Sequence, residues 1–227
     1  MRRLRIGYGV GPRLGAHGAV FQKSTEGTSP CQVSIDTQAA GSSIVAFAFG
    51  YQPGYTFSTD NKGNSYTSQG AQGYSGGQWS GFGIEAFVKA NAAGGSGHVV
   101  GFTKSAPTDE STLLVCEVVG ATVKQASANV ARAGAGAGVA YNSGDVVATG
   151  PALLVCAWTG DSAGNVGSVA AYPGSGWSLL ESLFLQNTSY VQAALAVRQV
   201  APPGTYNCPW TPDINQGGAI SIVAFQA

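Results

Sequence analysis

A chain of 227 residues buries about 70% of the surface its unfolded form exposes, so one large domain or two small ones can form a core without disulfides. Only 10% of the residues are charged and 34 are Gly, about twice the usual share, so Ser, Thr, Asn, Gln and Gly must supply most of the wetted surface. The 44% hydrophobic content, with recurring strand-length apolar runs, argues against a disordered chain, and no stretch reaches the ~18 apolar residues of a membrane span, which leaves a soluble product or one built into an assembly.

Zero net charge conceals an uneven distribution. Arg2, Arg3, Arg5 and Arg13 precede the first acid, leaving seven basic against eleven acidic residues in the rest. Residues 1 to 26 are Gly-rich, basic and without clear periodicity, and the opening residues lack the ~7–15-residue apolar run of a signal peptide. The stretch reads as an extended arm that orders only against a partner, so removing residues 1 to 18 is expected to leave a folded domain. Four arginines on such an arm give nonspecific attraction to nucleic acid and no base readout; a strap on an acidic protein surface is the preferred reading.

From residue 27 onwards short apolar runs alternate with turn residues at the spacing of a sandwich or barrel. "CQVSID" opens the series. In "SIVAFAFG", Ile44, Ala46 and Ala48 alternate with Val45, Phe47 and Phe49, and both sets are apolar, as in a central strand covered on two sides. "YTFST" and "NSYTS" flank "DNKGN", where Asp60 can cap an Asx turn and Gly63 can take positive φ. "IEAFVKA" and "HVVGFTK" follow, then "TLLVCEVV", whose Glu117 marks the outer face and whose Leu114, Cys116 and Val118 mark the inner one. Beyond "VKQASANVA" comes "PALLVCAWT", with a related turn "DSAGN" at Asp161 to Asn165. "WSLLESLFLQ" fits a strand or a helical turn, the β context favouring the strand. "SYVQAALAVRQV", "GTYNCPW" and "AISIVAFQA" complete the series, with Trp158 and Trp210 assigned to the interior and the last strand tied into a sheet. The expected fold is all-β: an antiparallel two-sheet, jelly-roll-like β-sandwich forming one domain over residues 27–227, behind an extended arm at 1–26.

Chemistry is thinly supplied. Cys31, Cys116, Cys156 and Cys208 lack the paired spacing of zinc ligands; Cys116 and Cys156 read as space-filling thiols, while Cys31 and Cys208, near strand ends, could pair. His17 falls in the arm, and His98 reads as a surface or edge imidazole. The Asp60 and Asp161 turns lack the second carboxylate and the residue pattern of a calcium loop, so no metal is assigned. The acids are scattered and no nucleophile, zinc or phosphate-loop motif occurs, so no catalytic residue and no cofactor are assigned. Tyr51, Tyr55, Tyr74 and Trp79 sit in Gly/Gln-rich loops, where flat rings can stack on sugars; they form a candidate glycan-contact loop.

The order of "SIVAFAFG", "FSTDNKGNSYT" with its D-x-x-G-N-x-Y-T turn, "HVVGFTKSAPTDESTLLVCEVVGA", "GPALLVCAWTG", "PGSGWSLL", "AALAVRQVAPPGTYNCPWTP" and "GGAISIVAFQA" resembles a β-sandwich module, jelly-roll or immunoglobulin-like, that recurs in tailed-phage virion proteins and bacterial surface proteins. The resemblance spans nearly all of residues 31 to 227. It implies a noncatalytic module for display or attachment and supplies no catalytic residues. A basic arm in place of a secretion signal shifts the expectation to a virion surface protein assembled in the bacterial cytoplasm. Arg2, Arg3, Arg5 and Arg13 would then hold it, as a homo-oligomer, to capsid, collar or tail proteins, with host surface polysaccharide as a further candidate partner and neither specific nucleic acid nor membrane among them.

Overall fold

The computed structural model describes residues 11–22, 30–51, 56–57, 60–73, 81–103, 110–135, 138–161, 171–183, 191–212 and 216–227. Among them there is no helix. The first half of the chain supplies β1 (Arg13–Gln22), β2 (Cys31–Ile35), β3 (Ser42–Tyr51), β4 (Thr56–Phe57), β5 (Thr67–Gly73), β6 (Phe82–Ala92), β7 (His98–Thr103) and β8 (Ser111–Val119). The second supplies β9 (Val123–Ala135), β10 (Tyr141–Asn142), β11 (Val146–Ala148), β12 (Ala152–Asp161), β13 (Ala171–Pro173), β14 (Ser178–Leu183), β15 (Val191–Val200), β16 (Gly204–Tyr206), β17 (Pro209–Pro212) and β18 (Gln216–Gln226).

Two five-stranded antiparallel sheets, ordered β1-β8-β3-β6-β5 and β14-β15-β12-β18-β9, face each other as a β-sandwich. Between them lies a core in which Val45, Phe47 and Phe49 from β3 meet Val155 and Ala157 from β12, with Leu114, Cys116 and Val118 from β8 and Val223 and Phe225 from β18. Each central sheet is also apolar on its far side. Ile44, Ala46 and Ala48 pack with Val33, Val100 and Phe102 beneath the small sheet β2-β7-β4. Leu154, Cys156 and Trp158 pack with Tyr141, Cys208 and Trp210 beneath β10-β17-β13 and β11-β16. The two-sided alternation in "SIVAFAFG" therefore reports a strand buried on both faces. Trp158 and Trp210 are both fully buried, and β18 pairs along its length with β12 and β9.

The strand order repeats. β1, β8, β3, β6 and β5 correspond to β9, β18, β12, β15 and β14, and the register agrees: Val45 pairs with Cys116 and Val88, as Val155 pairs with Val223 and Val197. Two β-bulges repeat as well, one in β1 between Leu14 and His17 matched in β9 after Lys124, the other in β5 after Ser68 matched in β14 after Leu179. Contacts across the sandwich are reciprocal, β1 on β14 and β5 on β9, β8 on β15 and β6 on β18. The halves thus meet as the two copies of a symmetric dimer do, through the same patch on each, within one chain.

Two expectations need correction: the arm with its domain boundary, and an open outer face at Glu117. Residues 13–22 are not a free arm but the edge strand β1, paired with β8 from Arg13–Val119 to Gln22–Ser111, so a cut at residue 18 would divide a strand of the fold. Among the described residues the sandwich already includes Arg13, ahead of the expected boundary at residue 27. As the β context favoured, "WSLLESLFLQ" contains a strand, β14, whose Leu180 and Leu183 pack against the central core. Glu117 does lie on the face away from the central core, yet it is 2% exposed, because the backing layer covers that face.

Candidate functional site

The turn flagged in "DNKGN" is the most densely bonded polar site among the described residues. Gly63, at φ +80°, lets the chain fold back so that the Asp60 carboxylate can collect donors from its own turn. Asp60 Oδ1 accepts the N–H groups of Lys62 (3.0 Å) and Asn64 (2.9 Å), and Oδ2 accepts Asn64 Nδ2 (2.9 Å), Tyr66 Oη (2.8 Å) and His98 Nε2 (2.6 Å). His98 Nδ1 lies 3.1 Å from Thr37 Oγ1, and Thr37 in turn accepts the Gly95 N–H. Asn64 carries the network to the next loop, its Oδ1 accepting the Ala93 N–H and its Nδ2 donating to the Ala93 carbonyl.

Burial pushes the Asp60 carboxyl up, but the donors from His98, Asn64 and Tyr66 outweigh it and hold the group below the usual carboxylate range. The same environment, burial first and the neighbouring carboxylate second, pushes the Tyr66 hydroxyl well above the usual tyrosine range. The Asp60 and His98 side chains are fully enclosed, at 0% exposure. Aspartate, imidazole and hydroxyl in series carry the residue types of a hydrolytic triad, but no substrate can reach an imidazole closed off on both nitrogens. Here the arrangement clasps three loops. His98 is therefore not the surface imidazole expected from sequence, and both oxygens of Asp60 are occupied by protein donors.

Other sequence-flagged residues also serve the fold. Glu117 accepts the N–H groups of Ala16 (3.0 Å) and Gln38 (2.8 Å), so its carboxylate fixes the β1 bulge and the link after β2. Gly15 permits this approach, since a Cβ there would sit 2.3 Å from Glu117 Oε2. His17 is not in a free arm; its Nδ1 reaches Glu181 Oε1 at 2.7 Å and joins the two halves. All four cysteines are buried, and none forms a disulfide. Burial pushes the Cys116 and Cys208 thiols up, the latter further through its hydrogen bond with Cys156. A Cys31–Cys208 disulfide is ruled out because the two lie in the backing layers of opposite sheets.

Of the expected anchoring residues, Arg13 is the exposed first residue of β1, while Arg2, Arg3 and Arg5 lie outside the described residues. Of the glycan-contact loop, Tyr51 ends β3 opposite Phe82, and Tyr55, Tyr74 and Trp79 lie outside the described residues, as does the "DSAGN" turn beyond Asp161.

Sequence reading missed the open groove where β5 meets β9. It has a volume of about 400 Å³ and is lined by Thr67, Ser68, Gln69, Val88, Ala90 and Lys124. Lys124 Nζ lies 2.5 Å from Gln69 Oε1 and 3.4 Å from Ser127 Oγ, and Asn129 Nδ2 donates to the carbonyls of Gln69 (3.0 Å) and Gly70 (3.2 Å). Only the polar residues of "TSQG" hinted at it, and they read equally well as an ordinary edge strand. No family model, curated protein or solved structure matches this chain, so its own geometry carries the functional argument.

Proposed function

We propose that this protein is a non-enzymatic structural component of a tailed-phage virion, displayed on the particle surface as head decoration, collar or tail fibre. The observation that carries the reading is the use made of its buried polar chemistry: Asp60, His98 and Glu117 are enclosed and spent on holding loops and strands together. An interior apolar on both faces of both central sheets suits a module that must stay rigid on an exposed particle. Four buried cysteines, none in a disulfide, fit folding in the reducing cytoplasm of a bacterial host. In this reading the segment carrying Arg2, Arg3 and Arg5 joins the subunit to capsid, collar or tail proteins. Copies repeated on the particle add weak contacts by avidity.

Labelled antibody on purified particles tests the reading directly. Regular surface labelling is expected, and particles without label would refute it. Deleting residues 1–10, which spares β1, is expected to leave the far-ultraviolet spectrum unchanged and to abolish incorporation; normal incorporation would refute the anchor. A second reading, recognition of host surface glycans, is favoured by one observation, the open groove between β5 and β9, where a few polar groups flank an apolar wall.

A further inference from the structure

The two reciprocal seams of the sandwich provide an internal control. Four partly buried hydrophobic residues close the β1–β14 seam over the central core: Leu14, Ala19, Leu180 and Leu183. The repeated register places Lys124, Asn129, Gln69 and Gln72 at the corresponding positions of β9 and β5. All four apolar plugs are exchanged for polar side chains on one seam only. Where His17 and Glu181 bridge the sealed seam, Ser127 and Gly70 stand on the other, and the groove opens there.

Stability alone does not favour this exchange, since leucines at matching backbone positions close the other seam and burying them is favourable. The open groove offers the Thr67 hydroxyl, the Lys124 ammonium and the second N–H of the Gln69 amide, whose first donates to the Thr67 carbonyl, around the methyl groups of Val88 and Ala90; its volume falls in the range of small-molecule sites. Among the described residues Lys124 has no acidic partner, and its two hydrogen bonds leave one of three donors unused. Asn129 Oδ1, at the same seam, is buried without a partner.

We propose that the β5–β9 seam is a binding site for an acidic saccharide, its sugar C–H face against Val88 and Ala90, its hydroxyls on Thr67 and Gln69, and its carboxylate on Lys124. The proposal deepens the glycan-recognition reading and rests on it; it does not depend on where the protein resides.

The test titrates the full chain with a uronic-acid trisaccharide and with a matched neutral hexose trisaccharide, followed by calorimetry and by amide shifts. It is repeated on the double variant Gln69→Leu, Lys124→Leu, which copies the sealed seam and should fold at least as stably. The expected result is binding of the acidic sugar at ~1 mM or tighter, about tenfold tighter than the neutral one, with shifts centred on Ser68, Gln69 and Lys124, and loss of binding in the variant. Equal binding of both sugars, or binding retained by the folded variant, would overturn the site while leaving glycan recognition standing. Binding of neither sugar, together with none to host surface polysaccharide, would end both.

Discussion

The layer behind the first central sheet is pinned by Asp60, His98 and Glu117, whereas the layer behind the second is pinned by Trp158 and Trp210. The positions correspond: Ala48 faces Glu85 across β3 and β6, while Trp158 faces Ala194 across β12 and β15, and Glu117 corresponds to Ala224. In the second half the Trp158 indole fills the layer, donates to Tyr141 Oη at 2.6 Å and lies in the same cluster as Trp210, whose own indole reaches Cys156 Sγ at 3.3 Å. One topology is thus fastened by buried ionic hydrogen bonds on one side and by indole packing on the other. Acid sensitivity should follow the first chemistry and cavity sensitivity the second.

Removing an indole should be the larger blow. Trp158→Ala is expected to cost about 3–5 kcal/mol, measured as a lower denaturant midpoint and independent of pH, because it leaves a void in a layer with few ionisable groups. Asp60→Asn should cost roughly 3 kcal/mol at neutral pH, since five donors lose their charged acceptor. The folded-state pKa of Asp60 is depressed, so its contribution is complete above the unfolded value of about 4 and is lost as pH falls through the lower folded value. The wild type should therefore lose stability on acidification, and the gap to Asp60→Asn should close. A constant gap down to pH 2 would contradict the clasp. The smallest change belongs to the sealed seam, where Leu180→Gln should cost about 1–2 kcal/mol and bring that seam nearer in character to its open counterpart.

Much of the central core was legible because it obeys alternation. Both faces of "SIVAFAFG", the inward Cys116 and the buried Trp158 follow from apolar residues two apart. β1 was illegible because "RLGAHGAVFQ" relies on Gly and Ala packed close to Glu117 and Val33, with no apolar alternation to announce it. Glu117 and His98 were read as surface groups because sequence does not show the layer that covers them. The internal repeat was masked by its own resemblances: "SIVAF" recurs in β3 and β18, and "LLVC" in β8 and β12, which are not corresponding strands. Those matches report a shared environment, buried on two faces beside a twin, while corresponding positions exchange Ala for Trp and Glu for Ala. The groove could not be read at all, because its meaning lies in the contrast between Gln69 and Leu180, visible only once register is known.

The account stands on the two halves being a single cooperative unit through their shared core, and tryptophan fluorescence measures this most directly. In a Trp79→Phe background the remaining tryptophans, Trp158, Trp177 and Trp210, all belong to the second half, whereas Asp60 belongs to the first. Introducing Asp60→Asn there should lower the midpoint of the tryptophan transition as far as that of the far-ultraviolet transition, with both remaining single. A tryptophan transition left unmoved while the far-ultraviolet signal splits in two would show halves that unfold separately, and would contradict the account.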